Sequence, residues 1–425
     1  MVFDITTSAR WQGPPSGIDR LQSRLVGAIA ALHPEIRLAI FDPRAGHYRN
    51  VTTDAYGLLA DPRVVVVDDA RTASSVQDLP AAHAALGTGG YGWGTARPLA
   101  LSLDAVAGAA VDFAPGDLLV DTGAGWEYGA AEIAADLKRT RRIGFAAMCH
   151  DLIPLTHPQW CGQDARAAFA RHFRVLVNAA DAVLFHSRRI AADAANESAA
   201  AGLGAIRGRF VPIGAEPIAP RPRALLPPAP AAGRYALAVG TLEPRKGHDL
   251  LLDAWRRLEA EGVPARQGFV LVLAGKPGWM TETLAAAIRR QEAAGASLRW
   301  LEEVDDALLD RLYRDAAFCV VPSRYEGYGL PAAEALAYGK ALICSTGGAL
   351  PEIAGGICPC LDPDDAPAWT SALRRYVTEP AALAAAAAEV RARFKPTSWA
   401  EAARTWVAIL GDLRAAMPDA IAQGS

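Results

Sequence analysis

The stretch Tyr325-Glu326-Gly327-Tyr328-Gly329-Leu330-Pro331-Ala332-Ala333-Glu334-Ala335-Leu336 follows a short apolar run, Phe318-Cys319-Val320-Val321. That run has the length and apolar content of a buried strand. Pro322 and Ser323 end it. Two glycines and a proline then make a turn, and residues 331–338 form helix readily; Pro331 suits a first helical turn, where its missing N–H costs nothing. The segment is therefore a strand–loop–helix junction with Glu326 on the loop and Glu334 about one turn into the helix. A helix N-terminus carries unpaired N–H groups and partial positive charge. Glycines let a ligand approach the backbone closely. A site for a molecule bearing phosphates and hydroxyls is the expectation.

The same alternation runs outward in both directions. Upstream, strands are expected at Tyr235 to Val239, Phe269 to Ala274 and Leu298 to Leu301, with helices at Gly247 to Glu261, Thr281 to Ala293 and Asp305 to Ala316. Downstream come a strand at Ala341 to Cys344, helices over 366–377 and 381–394, and an amphipathic helix from Ser398 to Met417. A proline-rich stretch from Glu216 to Gly233 reads as a linker. Before it the alternation is repeated. Val2 to Ile5 is a strand, Thr6 to Ser16 a polar segment broken by Gly13, Pro14 and Pro15, and a helix opens at Gly17-Ile18-Asp19-Arg20. Strands follow at Leu38 to Phe41, Val64 to Val67, Asp117 to Val120, Ile143 to Ala147 and Ala182 to Phe185, with helices over 164–180 and 187–200. Strands apolar on both faces suit parallel sheets covered by helices. The fold class is α/β: two successive doubly wound halves, 1–215 and 234–395, joined by the linker 216–233.

The bulk properties agree. A chain of 425 residues exceeds what one core usually supports. At 51% apolar and 21% charged residues it is globular, and a net charge of −3 gives no nucleic-acid footprint. There is no basic-then-apolar leader and no run of membrane-spanning length, so a cytoplasmic protein with six reduced cysteines is expected. Four of the cysteines lie in or beside apolar stretches that read as buried. Cys358-Pro359-Cys360 has no second Cys or His pair beside it, and that spacing argues against a zinc site.

Four further segments carry chemistry. Gly240-Thr241-Leu242-Glu243-Pro244-Arg245-Lys246-Gly247 sets two cations side by side after a strand. An Arg fork grips two phosphate oxygens and Lys adds a point charge, although a basic dipeptide is as often a solvated loop. His150-Asp151 leaves a buried strand; such a histidine titrates near neutrality, or is simply a satisfied interior group. Gly347-Gly348-Ala349-Leu350-Pro351-Glu352 and Gly275-Lys276-Pro277-Gly278-Trp279 are loops after strands, each equally readable as an ordinary turn.

In order and spacing, these residues resemble retaining GT-B glycosyltransferases, in the large family that includes sucrose synthases and many bacterial polysaccharide mannosyltransferases. Glu326 and Glu334 resemble that family's paired-glutamate motif, and Gly240 to Gly247 its phosphate-binding loop. Pro322-Ser323 and Gly347 to Glu352 fit around them. His150-Asp151-Leu152-Ile153-Pro154 is similar to a loop of the bacterial polysaccharide branch. The likeness is dense from Tyr235 to Pro363 and thinner from Met1 to Pro212. It implies two Rossmann-like domains facing across a cleft, with a C-terminal helix (396–425) crossing back to the first domain and anchored by Trp399 and Trp406.

The resemblance also implies transfer of a hexose from a nucleotide sugar, with retention and with no metal or other cofactor. GDP-mannose is the leading donor; a UDP-sugar, a rhamnose donor or a non-catalytic nucleotide-sugar-binding scaffold are the alternatives. A glycan or lipid-linked acceptor is expected, within surface-polysaccharide assembly, with no nucleic acid and with peripheral attachment at the inner membrane or to other assembly enzymes as an option. By the same resemblance Glu326 and His150 serve catalysis. Arg245, Lys246, Gly17, Gly329, Leu330 and Pro331 surround the diphosphate, and Glu334 takes the ribose. Gly240, Thr241, Gly275, Lys276, Val304 and Asp151 are candidate contacts to base or sugar. The first loop departs from the pattern: it reads Gly13-Pro14-Pro15-Ser16-Gly17 in place of adjacent glycines.

Overall fold

The structure is a computed structural model, and it describes residues 1–11, 17–59, 64–68, 76–77, 80–82, 99–217 and 234–417. Gly13 to Ser16 of the first loop and residues 218–233 of the proline-rich stretch lie outside the described residues. The chain divides into two compact units, Met1–Gly214 with Ser398–Ser425, and Ala215–Thr397.

In the second unit the strands are β12 (Arg234–Val239), β13 (Phe269–Ala274), β14 (Leu298–Leu301), β15 (Phe318–Val321), β16 (Ala341–Ser345) and β17 (Cys360–Leu361). They lie in the order β14-β13-β12-β15-β16-β17, all parallel. Side-chain alternation explains why these runs are apolar throughout. Ala236, Leu271, Phe318 and Ile343 point into one buried cluster with Trp255 and Trp369. Their neighbours Leu237, Val272, Cys319 and Leu342 point into another, with Leu312, Tyr313 and Leu336. Each strand thus feeds two cores, and a polar residue on either face would leave a buried group to satisfy.

The strand order fixes where a ligand can bind. From β12 the chain winds outward through β13 and β14, then returns to place β15 on the other side of β12. The loops after β12 and β15 therefore leave the sheet in opposite directions and open a crevice at the switch point. Those two loops are the Arg245-Lys246 segment and the Glu326 segment.

The first unit holds an eight-stranded sheet in the order β11-β10-β9-β8-β1-β2-β3-β7. Its strands are β1 (Val2–Asp4), β2 (Arg37–Asp42), β3 (His47–Val51), β7 (Ala107–Ala110), β8 (Leu118–Asp121), β9 (Gly144–Met148), β10 (Ala182–Phe185) and β11 (Gly208–Phe210). The switch point here falls between β1 and β8. The helix Trp399–Ala415 belongs to this unit and packs on the helix Gly17–Leu32. Ser398 and Glu401 form its capping box. Trp406 is fully buried and donates from Nε1 to the Pro212 carbonyl at 2.9 Å.

Three expectations need correction here. Thr6–Arg10 is a short helix rather than irregular chain, because the Asp4 carboxylate accepts the Thr6 N–H at 2.8 Å and turns the backbone. The half is not wholly parallel: β3 runs antiparallel to both β2 and β7. The sequence of β3, His47-Tyr48-Arg49-Asn50-Val51, lacks the continuous apolar run that marks a central strand. β4 (Val64–Val67) is not in the main sheet; with β5 (Val76–Gln77) and β6 (Leu99–Ser102) it forms a separate three-stranded sheet.

Candidate functional site

At the second unit's switch point, Glu326 is the centre of an ion cluster. Lys246 Nζ donates to its Oε1 at 2.7 Å and Arg245 Nη1 to its Oε2 at 3.0 Å. Ser323 Oγ donates to Oε1 at 2.7 Å. Arg245 is further held by Glu243 at 2.8 Å through Nε. Glu326 is only 5% exposed. Burial pushes its pKa up, but the charges of Lys246 and Arg245 and the bonds from Lys246 and Ser323 outweigh burial and hold it at about 2. It is a carboxylate at every working pH.

The backbone keeps these loops in contact. Gly247 sits at φ +68°, and a Cβ there would lie 2.1 Å from the Pro322 carbonyl oxygen. No other residue lets the Lys246 loop close onto the end of β15. Arg324 adds a second clasp: its N–H donates to the Arg245 carbonyl at 2.6 Å, and its guanidinium grips Asp249 at 2.8 and 2.7 Å. From the other side, the Ala349 N–H donates to the Glu326 carbonyl at 2.9 Å. A Cβ on Gly348, at φ +62°, would lie 2.2 Å from that same oxygen. Both glycine-bearing turns therefore serve the geometry of Glu326.

The helix Leu330–Ala337 begins just past Gly329, whose φ of +95° turns the chain into it. Leu330 and Pro331 are its first two residues, and Glu334 stands on it half-buried. Tyr313 donates its hydroxyl to Glu334 Oε2 at 2.9 Å, fixing that carboxylate. The loops at Gly240-Thr241 and Gly275-Lys276 are also brought together. Leu242 N–H donates to the Lys276 carbonyl at 2.9 Å, and Gly278 N–H to the Leu242 carbonyl at 2.8 Å. Gly240 lies against the Lys246 stem. Val304 is half-buried on the loop before the helix Asp306–Asp315 and packs on the second-unit core.

Gly17, His150 and Asp151 belong to the first unit. Gly17 is exposed and opens its helix at φ +52°. Asp151 accepts the Ile153 N–H at 3.0 Å, which starts a short helix. His150 is buried, with Nε2 at 3.0 Å from the Thr122 carbonyl. A carbonyl only accepts, so Nε2 carries the proton and Nδ1 is an acceptor. Burial lowers the His150 pKa to about 4 against the opposing bonds from Thr122 and Gly123, so the ring is neutral at pH 7.

Sequence reasoning missed further titratable residues of the first unit. Asp4 and Asp121 end the neighbouring strands β1 and β8 in register. Burial first, and the nearby Asp4 second, raise the Asp121 pKa. Asp4 is raised by burial despite accepting from Thr6 and from Tyr48 at 3.3 Å. His172 is buried and His186 half-buried, and desolvation with the neighbouring His150 lowers them to about 4 and about 3. The available signal was a carboxylate as the last residue of an apolar strand, in Phe3-Asp4 and Val120-Asp121. In the second unit, Ser323, Glu243 and Tyr313 were likewise given no role, although Glu243 and Ser323 pair with near neighbours in sequence, Arg245 and Glu326, and only Tyr313 reaches a distant partner, Glu334.

Residues 233–379 match the family described as glycosyl transferases group 1. Over 165 residues the chain is 36% identical to O-antigen chain mannosyltransferase B of Escherichia coli, which is 39% of this chain and 42% of that protein. Over 221 residues it is 29% identical to the serotype-specific mannosyltransferase WbdA of E. coli, 48% of this chain and 26% of that protein. The chain thus spans less than half the length of these curated relatives. Among solved structures it resembles sucrose-phosphate synthase of Thermosynechococcus elongatus, with TM-score 0.60 and 18% identity over 98% of this chain and 99% of that one. It also resembles Anabaena HepE in complex with UDP and glucose, with TM-score 0.58 and 13% identity over 97% of this chain and 99% of that one. These likenesses give the fold: two Rossmann-like units of the GT-B class.

Proposed function

We propose, from the premise that residues 233–379 are a group 1 glycosyl transferase region, that this protein moves a hexose from a nucleotide sugar to a glycan or lipid-linked acceptor. Mannose from GDP-mannose is the donor we favour, on the likeness to two O-antigen and serotype-specific mannosyltransferases. The setting proposed is surface-polysaccharide assembly at the cytoplasmic face of the inner membrane. Among the described residues no helix is long and apolar enough to cross a membrane, so attachment there would be peripheral.

One observation carries the reading: two cations, Arg245 and Lys246, are held side by side at a switch point by an ionised, buried Glu326. Such a cluster is preorganised for a diphosphate. In the proposed reaction the bond from the anomeric carbon to the diphosphate breaks. A bond to the acceptor oxygen forms on the same face, with retention, and the acceptor proton leaves with the nucleotide. Arg245 and Lys246 neutralise the charge building on the leaving group, so no metal is required. Gly329, Leu330 and Pro331 shape the turn beside that group. Glu334, fixed by Tyr313, takes the ribose hydroxyls, and Glu326 faces the sugar. His150, neutral and accepting at Nδ1, is the first unit's candidate group for a substrate hydroxyl.

The test incubates the full chain with GDP-mannose, UDP-glucose and a nucleotide-linked rhamnose, with lipid-linked oligosaccharide as acceptor, and follows nucleotide release. Faster release from GDP-mannose, with no need for added Mg²⁺ or Mn²⁺ and with the α-anomer retained in the product, is expected. Binding without turnover of any donor would leave a scaffold instead. Preference for another donor would replace mannose, and a rate that requires added Mg²⁺ or Mn²⁺ would remove the metal-independent mechanism.

A further inference from the structure

Three cysteines converge in the second unit, outside the Glu326 cradle. Cys344 lies in β16 and is fully buried; Cys358 and Cys360 are half-buried on the segment that returns as β17. The expectation of four buried cysteines is corrected to three, Cys149, Cys319 and Cys344. Cys344 and Cys360 are register partners on adjacent parallel strands. Cys344 Sγ is 3.4 Å from Cys360 Sγ and 3.8 Å from Cys358 Sγ, and the three sulfurs all lie within 4.8 Å of one another.

These spacings are those of metal ligands. Sulfurs bound to one zinc at about 2.3 Å in tetrahedral geometry stand about 3.8 Å apart. A disulfide would use two of the thiols and strand the third. A single thiophilic ion uses all three, and the half-exposed side at Cys358 and Cys360 admits water as the fourth ligand. The backbone is already set for this: Cys344 N–H donates to the Pro359 carbonyl at 3.1 Å, and Thr346 N–H to the Leu361 carbonyl at 2.8 Å. Pro359 between the two outer cysteines stiffens their approach.

We propose that Cys344, Cys358 and Cys360 form a three-thiolate site for Zn²⁺. Binding releases the thiol protons to solvent and leaves the metal held by three sulfurs and one water. The ion takes no part in glycosyl transfer. It pins the two-residue edge strand β17 to β16, and β16 runs directly into Ser345 to Ala349. Ser345 Oγ accepts the Gly347 N–H at 3.0 Å, and Ala349 N–H donates to the Glu326 carbonyl. Occupancy therefore stiffens the turn that backs Glu326.

The test uses the full chain, reduced with a phosphine, stripped of metal and titrated anaerobically with Co²⁺. One equivalent should bind with a thiolate-to-Co²⁺ charge-transfer band, be displaced by equimolar Zn²⁺, and survive in Cys161→Ser. The band should vanish in Cys358→Ser and Cys360→Ser, whose circular dichroism should match the parent; these two decide the matter if Cys344→Ser fails to fold. Zn²⁺ should raise the thermal midpoint of the parent and leave that of Cys360→Ser unmoved. Absence of the band, its persistence in both half-buried variants, or its loss in folded Cys161→Ser would overturn the site.

Discussion

Glu326 and Asp121 are buried carboxylates at the switch points of their respective sheets, and their surroundings drive them to opposite states. Around Glu326 stand Lys246, Arg245 and a donating Ser323. Beside Asp121 stand a second carboxyl, Asp4, and the Gly123 N–H at 2.8 Å. Burial alone lifts a carboxylate's pKa; two cations reverse it and a second acid reinforces it. The second unit therefore fixes two cations, counterbalanced by Glu326 and Glu243, as donors for an anion. The first offers acids and neutral imidazoles, which trade hydrogen bonds with hydroxyls but do not attract phosphate. Burial by itself says nothing about which kind of ligand a switch point suits.

The strongest way to break the comparison is Glu326→Ala. It leaves two largely buried cations without their shared acceptor, a loss on the order of 3–5 kcal/mol. Both a large fall in the unfolding midpoint and a turnover loss of about 100-fold or more are expected; a variant of parental stability would show that the cluster is not what holds the loops. Lys246→Ala should come next. One cation remains on Glu326, so nucleotide release falls about 10- to 100-fold while far-ultraviolet dichroism is unchanged. An undiminished rate would remove Lys246 from the proposed leaving-group site.

Linkage sharpens the contrast from both ends. Asp121 has a raised folded pKa, so its contribution to stability is present below the ordinary value of 3.8 and is lost as pH rises through the raised one. Asp121→Asn should therefore raise the first unit's unfolding midpoint in mildly alkaline buffer, by roughly 2–4 °C for each kcal/mol recovered. A lowered midpoint there would contradict the sign. His150, His172 and His186 have depressed pKa values near 4, 4 and 3, so they favour folding above 6.5 and lose that contribution as pH falls toward 4. The second unit has His248 depressed to about 4 by burial and by Lys246. Glu326 there is lost only between 4.5 and about 2. In Asp121→Asn, where the opposing gain from protonating that acid is removed, amide exchange followed from pH 7 to 5 should show protection falling further in the first unit than in the second. The smallest effect is Arg324→Ala. Its partner Asp249 is 55% exposed, so the pair contributes about 0.2–1 kcal/mol, readable only as a slight shift in the denaturant midpoint.

The legible parts of the molecule were those with local causes. The strands Phe269–Ala274 and Phe318–Val321 were readable because runs apolar on both faces have few other uses. The short helix Thr6–Arg10 was not, because a side chain of the preceding strand starts it. Strand His47–Val51 was hidden by its polar, antiparallel character. At the site, Glu326, Arg245 and Lys246 stood out as charges in glycine-framed loops. Their mutual pairing spans about 80 positions, and no local pattern encodes it.

Sequence by itself determined the alternation of strands and helices, the restart after a proline-rich stretch, and the charged loops that follow particular strands. Periodicity and turn chemistry are properties of neighbouring residues, and they survive without a fold. Only the tertiary structure decided which loops meet. It set β15 beside β12 and so put Glu326 onto Arg245 and Lys246. It also set β17 beside β16 and so carried Cys344 to the Cys358-Pro359-Cys360 pair that had read, alone, as too few ligands for a metal. Strand order is a long-range choice made by packing two cores at once, and the chemistry of both clusters follows from it.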